Sequence, residues 1–300
     1  MWIQEWGPVD ERLVLLGTRK SCSYLLKGDR YALLGGAGQW VVPELESQFD
    51  KLQLDLDRIE FLLISHSHYD HCGAVPYLTK RLPNVRVVAS DAARKMFDLE
   101  KAVRNMQVFS REACEQAGVP MEFGGVSLEF ERIQLERTMR DGDTLELGDG
   151  VRVCTFETPG HSRCSLTTYE PTLGWLFPGD SLHPPSDDGQ HLLFTASESF
   201  TVYQDSLRKL QNLDVNLCAW EHHGLKVGED ANDVVRAGMQ FTRDYHAQVL
   251  QTLADEGDAE AAALRVSEDW IAKARFPFLP ERVMQHIARG IVEHAVAERL

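Results

Sequence analysis

The segment that most constrains this chain is Ile64–Gly73, with the sequence ISHSHYDHCG, which directly follows a run of apolar residues. Within six positions it holds three histidines and one aspartate: His66, His68, Asp70 and His71. Alternate side chains of an extended backbone point the same way, so His66 and His68 can bind one ion. Asp70 and His71 follow a turn and can bind a second ion nearby. Imidazole and carboxylate suit zinc, iron or manganese, so the segment predicts a metal site at the end of a buried strand.

Three later segments offer further ligands, each at the end of a predicted strand. TPGHSRC presents His161, LFPGDSL presents Asp180, and AWEHHGL presents His222 and His223. One such residue beside a glycine is usually an ordinary loop residue. Functional side chains of open sheets nevertheless collect on the loops at strand ends. The recurrence of this pattern therefore predicts that the three segments meet the first one.

The order HxHxDH, a distant His, Gly-Asp and a final His resembles the signature of the metallo-β-lactamase superfamily of metal-dependent hydrolases. The resemblance implies two divalent metal ions, zinc, iron or manganese. The implied ligands are His66, His68 and His161 for the first metal, Asp70, His71 and His223 for the second, and Asp180 bridging both. Two ions about 3.5–4 Å apart need a shared anionic ligand, and together they lower the pKa of a bridging water. The expected nucleophile is therefore a metal-bound hydroxide.

Two further histidines are candidates for proton transfer. His183 follows Asp180 by three residues and is either a general acid or an ordinary loop residue. His222 is an extra histidine beside the implied ligand His223, and it supports the metal site, carries a proton or is exposed. Together with Asp70, these two residues form the predicted catalytic set.

The resemblance also separates branches of the superfamily. Members that reduce oxygen at a di-iron centre typically have a carboxylate where this chain has His68, so hydrolysis is favoured over oxygen chemistry. Segments 68–90 and 278–283 further resemble the 2-aminobenzoylacetyl-coenzyme A thioesterases of Pseudomonas alkylquinolone biosynthesis. That resemblance implies hydrolysis of an aromatic or β-keto acyl thioester. It equally implies the alternative of a quorum-sensing effector that acts through a regulatory protein partner, and a lactonase or glyoxalase II-like hydrolase stays open as well.

Apolar residues near the metal segments are candidates for a substrate pocket. The predicted pocket residues are Leu193, Phe194, Phe276 and Phe278. The alternative is that these side chains belong to the ordinary core.

The order of predicted elements indicates an α/β fold. A hairpin at 21–34, strands at 61–64 and 85–89, and short strands after Gly124, the first at 127–133, precede an almost continuous helical tail. Strands on both sides of a helical stretch indicate two sheets with helices outside them. With the resemblance, this predicts a four-layered αβ/βα metallo-β-lactamase sandwich over residues 1–228. Residues 229–300 are predicted to be a C-terminal helical extension that caps the active site.

Composition limits the partners. The chain has 31 Lys and Arg against 46 Asp and Glu, a net charge of −15, which disfavours nucleic acid as the main partner. No apolar run is long enough for a membrane span, and the first residues do not resemble a signal peptide. Six scattered cysteines are typical of free thiols in a reducing cytosol. We therefore expect a cytoplasmic protein that acts on a small-molecule thioester or ester.

Overall fold

The computed structural model describes all 300 residues, which form two seven-stranded sheets with helices outside them. The strands, in chain order, are β1 (Trp2–Ile3), β2 (Gly7–Pro8), β3 (Leu13–Thr18), β4 (Ser21–Lys27), β5 (Tyr31–Leu34), β6 (Ile59–Leu63), β7 (Arg86–Ser90), β8 (Glu122–Phe123), β9 (Val126–Ser127), β10 (Arg137–Met139), β11 (Thr144–Gly148), β12 (Val151–Glu157), β13 (Leu166–Glu170), β14 (Trp175–Phe177), β15 (Leu217–Ala219) and β16 (Leu225–Val227). The helices are α1 (Val42–Lys51), α2 (Tyr69–Cys72), α3 (Val75–Arg81), α4 (Asp91–Asp98), α5 (Glu100–Ala117), α6 (Phe200–Leu210), α7 (Glu229–Asn232), α8 (Val234–Glu256), α9 (Ala259–Ala274) and α10 (Glu281–Ala297). Two 3₁₀ turns lie at Gln39–Val41 and Leu56–Arg58.

Strand direction brings the loops of interest to one edge. In the first sheet, ordered β10-β7-β6-β5-β4-β3-β2, the strands β5, β6, β7 and β10 are parallel neighbours. In the second sheet, ordered β1-β16-β15-β14-β13-β12-β11, strands β14 and β15 are parallel. Strand β12 runs in the same direction as β14, because both are antiparallel to β13. The loops after β6, β12, β14 and β15 are the four that carry the predicted ligands.

Three apolar clusters separate the layers. The central one joins the facing sides of the two sheets, with Leu15 and Phe61 from the first sheet and Val153 and Phe177 from the second. A second cluster packs helices α1, α3, α4 and α5 on the outer face of the first sheet. The third packs helices α6 and α8 to α10 on the outer face of the second sheet. Each element has one apolar side to cover, and this stacking covers them all. The predicted four-layered αβ/βα sandwich with C-terminal helices is therefore confirmed.

Local sequence explains where several helices begin and end. Ser90, Ser199 and Asp258 each accept a hydrogen bond from a backbone N–H in the first turn of α4, α6 and α9. Helix α9 ends at Ala274, and the next residue, Arg275, has a left-handed conformation, φ 50°. That turn redirects the chain into the segment 275–280, which connects α9 to α10. No helix of the structure has the length and apolar character needed to cross a membrane.

One predicted strand is wrong. The segment 127–133 alternates apolar and polar residues, which favoured a strand, but only its first residue belongs to the two-residue strand β9. Leu128, Phe130 and Ile133 are instead buried in the cluster that covers the first sheet. Their side chains anchor an extended loop that pairs with no neighbouring strand. The alternation of apolar and polar residues indicates that one side of the segment is buried. An anchored loop shows this pattern as well as a strand does.

Candidate metal centre

The predicted first-metal ligands meet at the edge where the loops converge. His66 and His68 follow β6, and His161 follows β12 in the other sheet. Nε2 of His66 lies 3.0 Å from Nδ1 of His68, and Nε2 of His161 lies 3.2 and 3.0 Å from these two atoms. Ligands about 2.0–2.2 Å from one ion in tetrahedral geometry are about 3.4 Å apart. The three nitrogens are therefore arranged to hold a single ion.

A second group of donors lies beside the first. It consists of Asp70 and His71, both on the short helix α2, and His222 from the loop after β15. Nε2 of His71 is 3.3 Å from Oδ2 of Asp70 and 3.1 Å from Nε2 of His222. The Nε2 of His222 and the Oδ2 of Asp70 are 3.6 Å apart. These spacings again match those of ligands that share one ion.

Asp180 joins the two groups. Its Oδ2 lies 3.3 Å from Nε2 of His71 and 3.3 Å from Nε2 of His161, one donor from each group. The carboxylate is 6% exposed, and its Oδ1 has no hydrogen-bond partner. A buried carboxylate oxygen without a partner is costly unless a cation satisfies it. The donor set therefore fits a two-metal site in which Asp180 would serve both ions.

The structure corrects the predicted last ligand. His223 was expected to complete the second group, but His222 occupies that place. The ring of His223 is fully buried against Phe276, with the ring centroids 5.3 Å apart, and its Nδ1 is 3.7 Å from Asp187. Consecutive side chains point in different directions, and His223 has a left-handed backbone, φ 62°. Nδ1 of His222 donates to the carbonyl of Lys20 at 2.6 Å, which leaves Nε2 for the metal group.

His183 was predicted to donate a proton, but its side chain does not line the cavity that the donor groups face. Its two ring nitrogens lie 3.0 Å from the Thr195 hydroxyl and 2.9 Å from the Thr242 hydroxyl. The ring stacks on Tyr203, with centroids 4.7 Å apart. Burial lowers the pKa of His183 to about 3, so it is neutral at physiological pH. The structure therefore makes His183 a packing residue beneath the site.

Hydrogen bonds from neighbouring groups orient the donor rings. The Ser65 hydroxyl lies 3.1 Å from Nδ1 of His66, and the Thr195 carbonyl accepts from Nδ1 of His161 at 2.7 Å. The carboxylate of Glu221 accepts from Nδ1 of His71 at 2.6 Å. Such contacts fix which ring nitrogen is free to bind a metal. None of these three groups was predicted from the sequence; for Glu221, the available signal was an acidic residue directly before His222 and His223.

The site favours the metal-binding protonation states at most positions. Burial lowers the pKa of His66 well below its usual value and that of His68 to about 3, which keeps both rings neutral. Burial raises the pKa of Asp70, but His71 and His222 outweigh this effect and hold it at about 2. Burial lowers the pKa of His71, yet Asp70, Asp180 and Glu221 raise it well above its usual value. The concentration of negative charge around His71 is one that a bound cation would neutralise.

The donors open into a cavity of about 470 Å³. Helices α5, α9 and α10 and the segment 275–280 form much of its apolar wall. All four predicted pocket residues line it: Leu193, Phe194, Phe276 and Phe278. Further apolar lining residues that sequence analysis missed are Met106, Phe109, Trp270, Met284 and Ile287. Because the C-terminal helices supply part of this wall, they share the cavity with the sheets; the boundary at 228/229 stays a prediction.

Phe276 and Phe278 lie directly beside the donors. Their rings stack on each other with centroids 5.0 Å apart and an angle of 21° between the planes. The centroid of the His222 ring lies 4.6 Å from that of Phe276 and 6.1 Å from that of Phe278. The metal-binding face of the cavity therefore continues directly into an aromatic wall.

Comparison with known proteins agrees with this geometry. The sequence profile of the Metallo-beta-lactamase superfamily matches residues 16–222, more than half of the chain. Diflavin flavoprotein A 1 from Synechocystis is 28% identical over 55% of this chain and 24% of its own length. A hydroxyacylglutathione hydrolase from Idiomarina loihiensis is 27% identical over 67% of this chain and 65% of its own length. The chain thus spans less than two thirds of each of these relatives.

Solved structures show the same fold. A crystal structure of a metallo-beta-lactamase family protein from Thermus thermophilus has a TM-score of 0.64 and 21% sequence identity. The match covers 93% of this chain and 94% of that protein. The similarity therefore extends through the C-terminal helices as well as the sheets.

Proposed function

Because the chain belongs to the metallo-beta-lactamase superfamily, we propose that it is a two-metal hydrolase that cleaves an aromatic or β-keto acyl thioester. The observation that carries the proposal is that the aromatic wall lies beside the donor groups, since the ring centroids of His222 and Phe276 are 4.6 Å apart. A flat acyl group stacked on this wall would present its carbonyl carbon to the donor cluster. The two donor groups would hold two divalent ions, which would supply a hydroxide at neutral pH and polarise a carbonyl oxygen.

The residues of the chain would position the substrate and exclude water. Phe276 and Phe278 stack at 5.0 Å and provide an apolar surface, and offset aromatic stacking is worth about 0.5–1.5 kcal/mol. Leu193 and Phe194 line the same cavity and limit its size. Enclosure of this kind strengthens the electrostatic interactions at the reacting carbonyl. These contacts would orient the acyl group.

The leaving group supports a thioester over an amide. A thiol has a pKa of about 8.5, so a thiolate departs with little help from an acid. This suits a site in which His183, the predicted acid, does not line the cavity and is hydrogen-bonded to Thr195 and Thr242. The similarity to a hydroxyacylglutathione hydrolase supports the same bond class, because an acylglutathione carries its acyl group on a thiol. His68, in place of a carboxylate, supports hydrolysis over the oxygen chemistry of the flavoprotein branch.

A kinetic comparison tests the proposal. We would measure kcat/KM of the zinc-, iron- and manganese-loaded chain for benzoylacetyl-type thioesters, S-lactoylglutathione, an acyl-homoserine lactone and bis-p-nitrophenyl phosphate. The expected result is a preference for the aromatic or β-keto thioester. If kcat/KM for the lactone or the phosphodiester is at least ~100-fold higher than for any thioester, the thioesterase proposal is wrong. That ratio corresponds to about 2.7 kcal/mol of transition-state stabilisation. No turnover of any ester would favour the regulatory alternative with a protein partner.

A further inference from the structure

Glu221 lies beneath the second donor group. It follows β15, directly precedes His222, and is only 7% exposed. Its Oε2 is 2.6 Å from Nδ1 of His71, on the side of the ring opposite the donor Nε2. A carboxylate buried to this degree is seldom kept without a specific partner. The arrangement therefore ties Glu221 to one particular ring.

A glycine leaves room for this carboxylate. Gly35 follows β5 in the first sheet, and a Cβ built on it would lie 3.0 Å from Cδ and 3.2 Å from Oε2 of Glu221. Gly35 also has a positive φ, 84°, which most side chains disfavour. The absence of a side chain at position 35 therefore leaves the space that the Glu221 side chain occupies.

The donor rings differ in how they are held. His66 faces the Ser65 hydroxyl, while His161 and His222 face backbone carbonyls, and all of these partners are neutral. His71 faces a carboxylate. Charge-assisted hydrogen bonds are roughly twice as strong as neutral ones. The ring of His71 therefore depends on its partner more strongly than the rings of the first group do.

We propose that Glu221 is a positioning residue for the second metal: it accepts the hydrogen bond from Nδ1 of His71 at 2.6 Å and so holds the ring with Nε2 directed at the second donor group. A neutral imidazole carries one N–H, so an acceptor at Nδ1 selects the form that is free to bind at Nε2. Since Glu221 and His222 are consecutive, one short segment sets both rings of the second group. Loss of such a partner typically weakens metal binding 10–100-fold. The first metal has no contact of this kind to lose.

Three variants distinguish the effect of the hydrogen bond between Glu221 and His71 from the effect of the negative charge of Glu221. Glu221→Gln keeps the length of the side chain and an oxygen that accepts from Nδ1, but it is neutral. Glu221→Asp keeps the charge but is one methylene too short to reach Nδ1 at the present 2.6 Å. Glu221→Ala removes both. Glu170→Gln is the matched control, since Glu170 is also fully buried but lies at the other end of the second sheet, where it accepts from the Leu173 N–H.

The readout is zinc titration of chelator-treated protein by calorimetry, with the melting temperature of the metal-free protein as a second measurement. We expect Glu221→Ala and Glu221→Asp to weaken the second zinc 10–100-fold and leave the first within about threefold. Glu221→Gln, which keeps a neutral hydrogen bond at Nδ1, should recover part of this loss, and Glu170→Gln should bind as the wild type does. Equal weakening of both metals, or Glu221→Asp binding better than Glu221→Gln, would overturn the proposal.

If Glu221→Ala does not fold, the comparison of the Gln and Asp variants decides alone. The inference rests on the two-metal site of the proposed function. Its test reads metal binding and not turnover, so an incorrect substrate assignment leaves the result interpretable. Two zinc ions bound normally by all three variants would reject the role of Glu221 while the hydrolase proposal stands.

Discussion

Replacing His222 by alanine is expected to remove the second metal, and replacing His223 by asparagine is expected to keep both. The contrast follows from the positions of the two rings. Nε2 of His222 is 3.1 Å from Nε2 of His71, whereas His223 packs on Phe276 outside the donor cluster. Asparagine is chosen because it tolerates the left-handed backbone at position 223, φ 62°.

The size of each effect follows from what the ring contacts. Four ligands that bind zinc with about 10–16 kcal/mol contribute about 3 kcal/mol each, so loss of His222 should weaken the second metal about 100-fold. His223→Asn loses an aromatic contact with Phe276 and leaves space in the packing. We expect it to lower the free energy of unfolding by about 1–2 kcal/mol with no effect on metal affinity.

The assay is metal content per chain after dialysis against buffered zinc, with urea unfolding of the metal-free proteins alongside. His222→Ala should hold one zinc where the wild type holds two, and His223→Asn should hold two with a lower unfolding midpoint. Loss of a metal from His223→Asn, with two metals retained by His222→Ala, would refute the assignment drawn from the structure.

Three further outcomes are expected. Asp180→Ala should lower the affinity for both metals and abolish hydrolysis, because Oδ2 lies 3.3 Å from a donor of each group; metal analysis with two ions retained would contradict this. His183→Gln should flatten the pH dependence of stability. The unfolded state, with a histidine pKa near 6.5, binds more protons than the fold, where the pKa is about 3. The free energy of unfolding of the wild type should therefore fall by up to about 1.4 kcal/mol per pH unit as pH drops from 6.5 toward 3. Urea unfolding in which the wild type and His183→Gln show the same dependence of this free energy on pH would refute the prediction. Phe276→Ala should raise KM for an aromatic thioester more than for an acetyl thioester, because it removes half of the stacked pair; equal changes would place the acyl group elsewhere.

Several features of this protein could be predicted from sequence because they depend on neighbouring residues. The His-x-His spacing after an apolar strand placed His66 and His68 together by backbone alternation alone. The sequence predicts an almost continuous helical tail within residues 229–300, where the structure has α8, α9 and α10. Periodic apolar patterns and capping residues act over one or two helical turns, so helices can be predicted from the local sequence.

The tertiary structure decided which of two adjacent histidines joins the metal group. His222 and His223 have the same chemistry, and only the left-handed turn at His223 and the carbonyl of Lys20 direct the first ring inward. The same is true of Glu221, whose contact with His71 spans 150 positions of the chain. His183 lies close to Asp180 in sequence, yet it is held by Thr242 from α8. Side-chain direction in a loop is set by packing between distant segments, and local sequence patterns do not encode those contacts.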